Sequence, residues 1–253
     1  MTAMLAITRM TVRQVLGVRR LIGLTLLAIA PAGIFFLGSS RGDPGRITEG
    51  LAGVIIGAFI NLVVPVVTLI MASSVLGSER RDQTLSFLVL RPLSRLSIAA
   101  AKLVAAFVTA FTLTGIGALA LGVLATIRLD DAGYIVPLLV ATAIATLAYA
   151  AIFMPLGYIT ERATLIGLAY VFVWENGIAG ALTGLAGLSP WRLGFSALVD
   201  LAPAGFGVAI TDVRSFALGD LQPGAGGSAI KVLVLAALSA AVTGWILRRR
   251  DLA

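Results

Sequence analysis

The sequence predicts an all-α polytopic membrane protein with six transmembrane helices. Of its 253 residues, 59% are apolar and only 12% are charged, whereas about 25% of the residues of an average soluble domain are charged. Uncharged stretches of about 20 residues, the length that a helix needs to cross a bilayer, recur along the chain. The basic residues are concentrated in alternate connecting segments. Together these observations exclude a water-soluble globular fold.

Six stretches are long and apolar enough to cross the bilayer. Five of them contain no formal charge, and the other, fifth in chain order, is interrupted only by Glu175. Because no internal repeat or long linker divides the chain, we predict a single transmembrane domain over residues 1–253. The predicted spans are Leu21–Gly38, Leu51–Gly77, Leu103–Ile127, Ala132–Thr160, Ala163 to about Leu188, and Val232–Leu247.

The distribution of positive charge predicts the orientation. If both termini lie in the cytoplasm, thirteen of the nineteen lysines and arginines fall in cytoplasmic segments, as the positive-inside rule requires. An odd number of spans would place Arg248–Arg250 outside. We therefore predict a multi-pass protein of the cytoplasmic (inner) membrane with both termini in the cytoplasm.

Residues 189–228 are predicted to form external or re-entrant helices between spans five and six. Leu193–Ile210 is apolar enough to suggest a seventh crossing, but Asp200 and Pro203 interrupt it. Proline removes a backbone donor and breaks a helix. We expect two short helices that meet near Pro203, followed by a flexible run at Gln222–Gly227.

Residues 1–20 are predicted to form an N-terminal amphipathic interfacial helix. At about 100° per residue, the apolar side chains share one face, and Arg9, Arg13 and Arg20 gather beside it. Such a helix lies along the inner leaflet with its arginines near lipid phosphates. The alternative is that these arginines only follow the positive-inside rule.

The composition excludes most enzymatic mechanisms. The chain has no cysteine and no histidine, so thiolate nucleophiles, zinc–sulfur sites and the usual general base are absent. Its two lysines, Lys102 and Lys231, follow Ala101 and Ile230, so no phosphate-binding Gly-Lys-Ser/Thr motif is present. We predict no catalytic residue and no metal site. The net charge of +7 is explained by membrane orientation, and no nucleic-acid partner is expected.

The cytoplasmic loop between spans two and three, residues 78–101, carries the most specific pattern. Ser78 is expected to cap a helix that has Glu79 and Asp82 near its start and that ends before Pro92, and Ser94 is expected to cap the next helix. A loop of this length and structure exceeds what a connection needs, which indicates a docking surface for a soluble partner. The alternative is a solvated basic loop.

This loop resembles the one that follows the second span in ABC-2 type permeases, the membrane subunits of ATP-binding-cassette exporters. The shared residues are Glu79, Thr84 and Leu85, then Leu90–Arg95 and Lys102. The family usually has glycine before the threonine, where this chain has Gln83. The resemblance implies that the loop and the start of the chain receive the nucleotide-binding subunit. The implied docking residues are Glu79, Arg80, Arg81, Asp82, Thr84, Leu85, Arg91, Pro92, Ser94 and Arg95.

The resemblance also implies the function. The chain would be one transmembrane permease domain of an exporter, without ATPase activity and without a cofactor of its own. Its implied partners are two cytoplasmic ATP-binding-cassette ATPase subunits, which would use ATP and Mg, a second permease copy or homologue, and membrane lipid.

Glu175 is the only acid within a predicted span, where a charge costs on the order of 3 kcal/mol. With Asn176 and Asn61 it is a candidate for the translocation pathway. The alternative is a structural hydrogen bond to one of these asparagines or to a helix end. No Asp or Arg lies within a predicted span, which argues against the proton relay of a secondary transporter. The rival function is a stand-alone secondary transporter or channel with Glu175 as its coupling site, and a third is a membrane scaffold or immunity subunit without transport.

Two glycine pairs have the four-residue spacing that permits close helix contact. They are Gly53/Gly57 and Gly180/Gly184. With 28 glycines in the chain, such pairs arise easily by chance, so we interpret them as packing within one chain.

Overall fold

The computed structural model describes residues 8, 10–11, 17–39, 43–81, 94–178, 189–209 and 223–250, and at 78–81, 176–178, 207–209 and 249–250 the description is confined to the backbone. Within these ranges the protein is helical and contains no strand. The predicted all-α fold class is therefore confirmed.

The helices follow the apolar stretches of the sequence. The second span is one continuous helix made of α2, a π-helical segment and α3, and the fifth span consists of α6 and a second π-helical segment. The bounds are α1 Val18–Gly38, α2 Pro44–Gly53, π Val54–Val63, α3 Val64–Arg81, α4 Arg95–Leu129, a 3-10 turn Ala132–Tyr134, α5 Ile135–Ile159, α6 Ala163–Ala169, π Tyr170–Ile178, α7 Pro190–Leu201, α8 Ala204–Ala209 and α9 Gly224–Arg250.

Among the described residues, five helices are long and apolar enough to cross a membrane, and Ala163–Glu175 is a shorter apolar helix. This result is consistent with the predicted six spans. The end of the fifth predicted span, residues 179–188, lies outside the described residues. The two short helices α7 and α8 follow, and Pro203 separates them as predicted.

The structure corrects three sequence-based expectations about local structure. Ser78 does not begin a new helix, because α3 runs through it to Arg81 without a breaking residue. Gly224–Gly227 are not a flexible run, since they form the first turn of α9. Gly53 and Gly57 do not pack within the chain, because both are exposed and an added Cβ would meet nothing within 4 Å. The pair Gly180/Gly184 lies outside the described residues.

Helix α5 is the centre of the bundle. It packs against α3, α4, α6, α7 and α9. Helices in lipid associate through close packing, which small residues permit. At Gly157 on α5 an added Cβ would lie 2.7 Å from the carbonyl carbon of Ser73 on α3, and at Gly117 on α4 it would lie 2.8 Å from the Phe59 ring. Both crossings therefore require glycine.

We expect Gly157→Ala to lower the thermal unfolding midpoint of the detergent-purified protein. The added methyl group would force α5 and α3 apart, and overpacking of this kind costs about 1–3 kcal/mol. The matched control is Gly23→Ala on α1, where an added Cβ would meet nothing within 4 Å. A Gly157→Ala midpoint equal to that of the control would contradict the close crossing.

Candidate functional site

Glu175 lies in the π-helical segment of the fifth span and is 7% exposed. One carboxylate oxygen accepts a hydrogen bond from the hydroxyl of Ser189, and the other accepts one from the hydroxyl of Tyr170 at 3.2 Å. The guanidinium of Arg192 interacts favourably with the same carboxylate. Glu175 is thus a buried charge with two donors and a cation around it.

The hydroxyl of Tyr149 on α5 completes this cluster. This hydroxyl is buried and has no hydrogen-bond partner within the described part of the chain. It is near enough to Glu175 to interact with it electrostatically. Its ring stacks on Phe153, and the ring of Phe153 meets Tyr170 edge-on. We call Tyr149, Tyr170, Glu175, Ser189 and Arg192 the carboxylate cluster.

The carboxylate cluster lies well inside the helices that carry it. The distance along the helix from Ala163 to Glu175 is about 18 Å at ~1.5 Å per residue. Along α5 the distance from Ile159 to Tyr149 is about 15 Å by the same rise. Each distance is about half the thickness of a bilayer's hydrocarbon core, which is ~30 Å.

Helix α7 lies in the segment for which the sequence predicts external or re-entrant helices. Ser189 is its N-cap and accepts a bond from the backbone nitrogen of Arg192 at 3.4 Å, so the helix begins at the depth of Glu175. At its other end, Asp200 accepts from the backbone nitrogen of Ala225 at 2.8 Å, and the hydroxyl of Ser196 accepts from that of Gly224 at 3.1 Å. The end of α7 thereby caps the start of the last span.

The three pathway candidates share one feature of local structure. Asn61 lies in the π-helical segment of the second span, and Glu175 and Asn176 lie in that of the fifth. Isolated π-helical turns occur frequently at functional sites. Asn61 is half-buried, the side chain of Asn176 is outside the described residues, and α7 packs against the segment that contains Asn61.

The N-terminal segment is joined to α4. Lys102 is 0% exposed, and its ammonium donates to the hydroxyl of Thr11 at 2.8 Å. The hydroxyl of Thr8 donates to the carbonyl of Ala101 at 3.4 Å. Thr8, Met10 and Thr11 are helical, with Met10 67% exposed and Thr11 2% exposed, so Thr11 packs against the bundle and Met10 does not.

Among the interfacial arginines, only Arg20 is described, while Arg9 and Arg13 lie outside the described residues. The guanidinium of Arg20 contacts the protein. It donates to the carbonyl of Ile70 and lines a polar cavity of about 110 Å³ with hydroxyl groups such as those of Ser73 and Thr160.

The structure places five of the ten docking candidates. Glu79, Arg80 and Arg81 form the last turn of α3, described as backbone only. Ser94 caps α4 as predicted and accepts from the backbone nitrogen of Ser97 at 3.1 Å, and Arg95 follows in the first turn. The other five, Asp82, Thr84, Leu85, Arg91 and Pro92, lie outside the described residues.

Sequence reasoning missed three residues of this arrangement. Arg192, which is on α7 and outside the predicted spans, lies where its charge stabilises the Glu175 carboxylate. Ser189 was recognisable as an N-cap before Pro190, but nothing in the sequence indicated its bond to Glu175. The role of Lys102 also needed the fold, because its partner Thr11 is far away along the chain.

The polar contacts described above hold helices and helix ends in position. Within the described ranges, no group of three His, Cys, Asp or Glu side chains could hold a metal ion. Among the described residues, Lys102, Glu175 and Arg192 are buried charged side chains.

The fold and these sites define a multi-pass helical membrane protein with a buried carboxylate cluster among its helices. The sequence model of the family described as ABC-2 family transporter protein matches residues 18–181. Because this match covers more than half of the chain, the chain belongs to that family. Comparison with the curated proteins gives no match.

We expect Lys102→Met to release the N-terminal segment from α4. In the purified protein, trypsin should cleave this segment about tenfold faster or more, because a hydrogen bond to a charged group contributes about 1.5–3 kcal/mol. The control is Thr112→Val, since Thr112 is exposed and bonds only to the carbonyl of Val108 in its own helix. Unchanged cleavage in Lys102→Met would show that this contact does not hold the segment.

Proposed function

We propose that this protein is the membrane-spanning permease subunit of an ATP-binding-cassette exporter, and that it moves substrate across the cytoplasmic membrane with ATP hydrolysed by a separate subunit. The family match over residues 18–181 carries this proposal, and the whole chain, 1–253, acts as one permease domain. ABC-2 membrane proteins generally work with ATP-binding subunits and are often dimeric.

Two cytoplasmic ATPase subunits, which bind ATP and Mg, dock on residues 78–101 and the N-terminal segment. The last turn of α3 and the first turn of α4 lie at the same end of the bundle as the Lys102–Thr11 contact, and we call this end the platform. We assign the platform and both termini to the cytoplasm, because the basic residues of the sequence concentrate there. Closure of the ATPase dimer pushes on this platform, and the paired membrane halves switch from inward-open or closed to outward-open.

A second permease copy packs on the second span. Gly50, Gly53 and Gly57 are exposed along it, and an added Cβ at each of Gly50, Gly53 and Gly57 would meet nothing within 4 Å. An open face of small residues allows the backbone of another helix to come close. Substrate passes between the two copies, and the helices between spans five and six close the external side.

Charge reversal at the platform tests the docking. We expect Arg91→Glu/Arg95→Glu, or Glu79→Gln, to lower ATP hydrolysis by the reconstituted complex about fivefold or more, because complementary charges steer and fix partner binding. The permease should still insert in the membrane. The control is Lys231→Glu, a charge reversal on an exposed residue near the start of α9, at the opposite end of the bundle.

Two results would refute the proposal. ATPase subunits that stay associated after deletion of residues 82–93 would show that the loop is not the docking site. Substrate flux catalysed by this chain alone in liposomes would favour the stand-alone transporter instead.

Cysteine cross-linking tests the dimer, since the natural chain has no cysteine. We expect Gly57→Cys to form a disulfide-linked dimer in oxidised native membranes, because the same residue of two copies would face each other. Leu238→Cys on α9, which is 58% exposed, should stay monomeric. Cross-linking of Leu238→Cys alone would move the interface to the last span.

A further inference from the structure

We infer that Glu175 is a positioning residue that pins helix α7 and does not contact the cargo. The inference deepens the proposed function, since it assigns the role of the one acid within the spans. It also decides between the two interpretations of Glu175 in favour of a bond to a helix end.

The carboxylate is already occupied. Its two oxygens accept from Ser189 and Tyr170, and the guanidinium of Arg192 supplies the opposite charge. Glu175 is 7% exposed and Arg192 is 6% exposed. A cationic cargo would have to displace these groups to reach the charge.

Two of these partners belong to the start of α7. Ser189 is the N-cap and Arg192 lies in the first turn. A helix N-terminus carries a partial positive charge, which a nearby carboxylate stabilises. Cap hydroxyl, guanidinium and helix dipole therefore all hold the same helix end against Glu175.

The remaining contacts of α7 form a seam with α5 and α9. Gly194 packs against Ala141 and Ala145, and Leu193 and Ala197 form an apolar cluster with Ile144, Ala148 and Val232. These contacts are apolar, and the polar contacts of Ser196 and Asp200 with the start of α9 lie toward the other end of α7. In lipid apolar contacts gain no hydrophobic stabilisation, so the polar pin at Ser189 decides whether the end of α7 beside Glu175 stays in place.

The bond between Glu175 and Ser189 makes the inference testable against a cargo role. Two variants that remove the same contact have non-additive effects. If this bond pins α7, loss of Glu175 and loss of the Ser189 hydroxyl should each loosen α7, and the two losses together should loosen it little further. If Glu175 binds cargo, its loss leaves α7 in place.

The experiment measures the opening of the seam with a cysteine reporter. Ala197→Cys is placed in the natural chain, where Ala197 is 0% exposed, and is labelled from outside with a membrane-impermeant maleimide. The backgrounds are wild type, Glu175→Met, Ser189→Ala and the double variant. The control reporter is Thr114→Cys, since Thr114 is 0% exposed and its hydroxyl bonds that of Thr146 between α4 and α5.

We expect labelling at Ala197→Cys to rise about tenfold or more in each single variant, because a hydrogen bond to a charged group is among the stronger ones in a protein. In the double variant it should stay within about threefold of the faster single variant. Labelling at Thr114→Cys should stay low in every background.

Three outcomes would overturn the inference. Labelling at Ala197→Cys could stay at the wild-type rate in Glu175→Met, the double variant could show the product of the two single increases, or Thr114→Cys could become equally reactive, which would show that Glu175 supports the whole bundle. The assay uses neither ATPase nor cargo. The labelling result can therefore be interpreted even if the proposed function is wrong.

Discussion

A carboxylate in the hydrocarbon of a membrane must be surrounded by donors, and this constraint organises one half of the bundle. Glu175 is surrounded by Ser189, Tyr170 and Arg192. Because Ser189 also caps α7, the helix begins beside Glu175. Its far end lies beside the last span, where Asp200 supplies the cap that the first turn of α9 needs. One buried charge thus fixes where α7 begins, and α7 in turn fixes the start of α9.

Close backbone crossings hold the rest of the bundle together. Lipid gives helices no hydrophobic reason to associate, so their contact depends on how near the backbones come. Gly157 lets α5 lie against α3, and Gly117 lets α4 lie against α1 and the second span. With α5 at the centre, these crossings form a rigid frame beside which α7 is held mainly by its two polar ends.

The end of the bundle where α3 ends and α4 begins is continuous with the frame. Helix α3 runs without interruption to Arg81, and α4 runs from Arg95 to Leu129. The N-terminal segment is tied to α4 through Lys102 and Thr11, and Arg20 ties the start of α1 to the carbonyl of Ile70. Whole helices and side-chain contacts therefore connect this end to the rest of the bundle.

Sequence alone determined the solvent, the helical class, the approximate spans, the cap at Ser94 and the break at Pro203, because these follow from local hydrophobicity, capping and proline geometry. The same local rules placed a helix start at Ser78, where tertiary packing carried α3 straight through. They also assigned Gly53 and Gly57 to packing within the chain, although the fold leaves both open.

Only the tertiary structure decided what the buried charges do. The sequence marked Glu175 as costly but could not supply Ser189 and Arg192, and it showed Lys102 without Thr11. Such partners are distant along the chain, and they meet only when helices pack. Local pattern therefore determines which segments enter the membrane, while the requirement that each buried polar group find a partner determines how those segments are arranged.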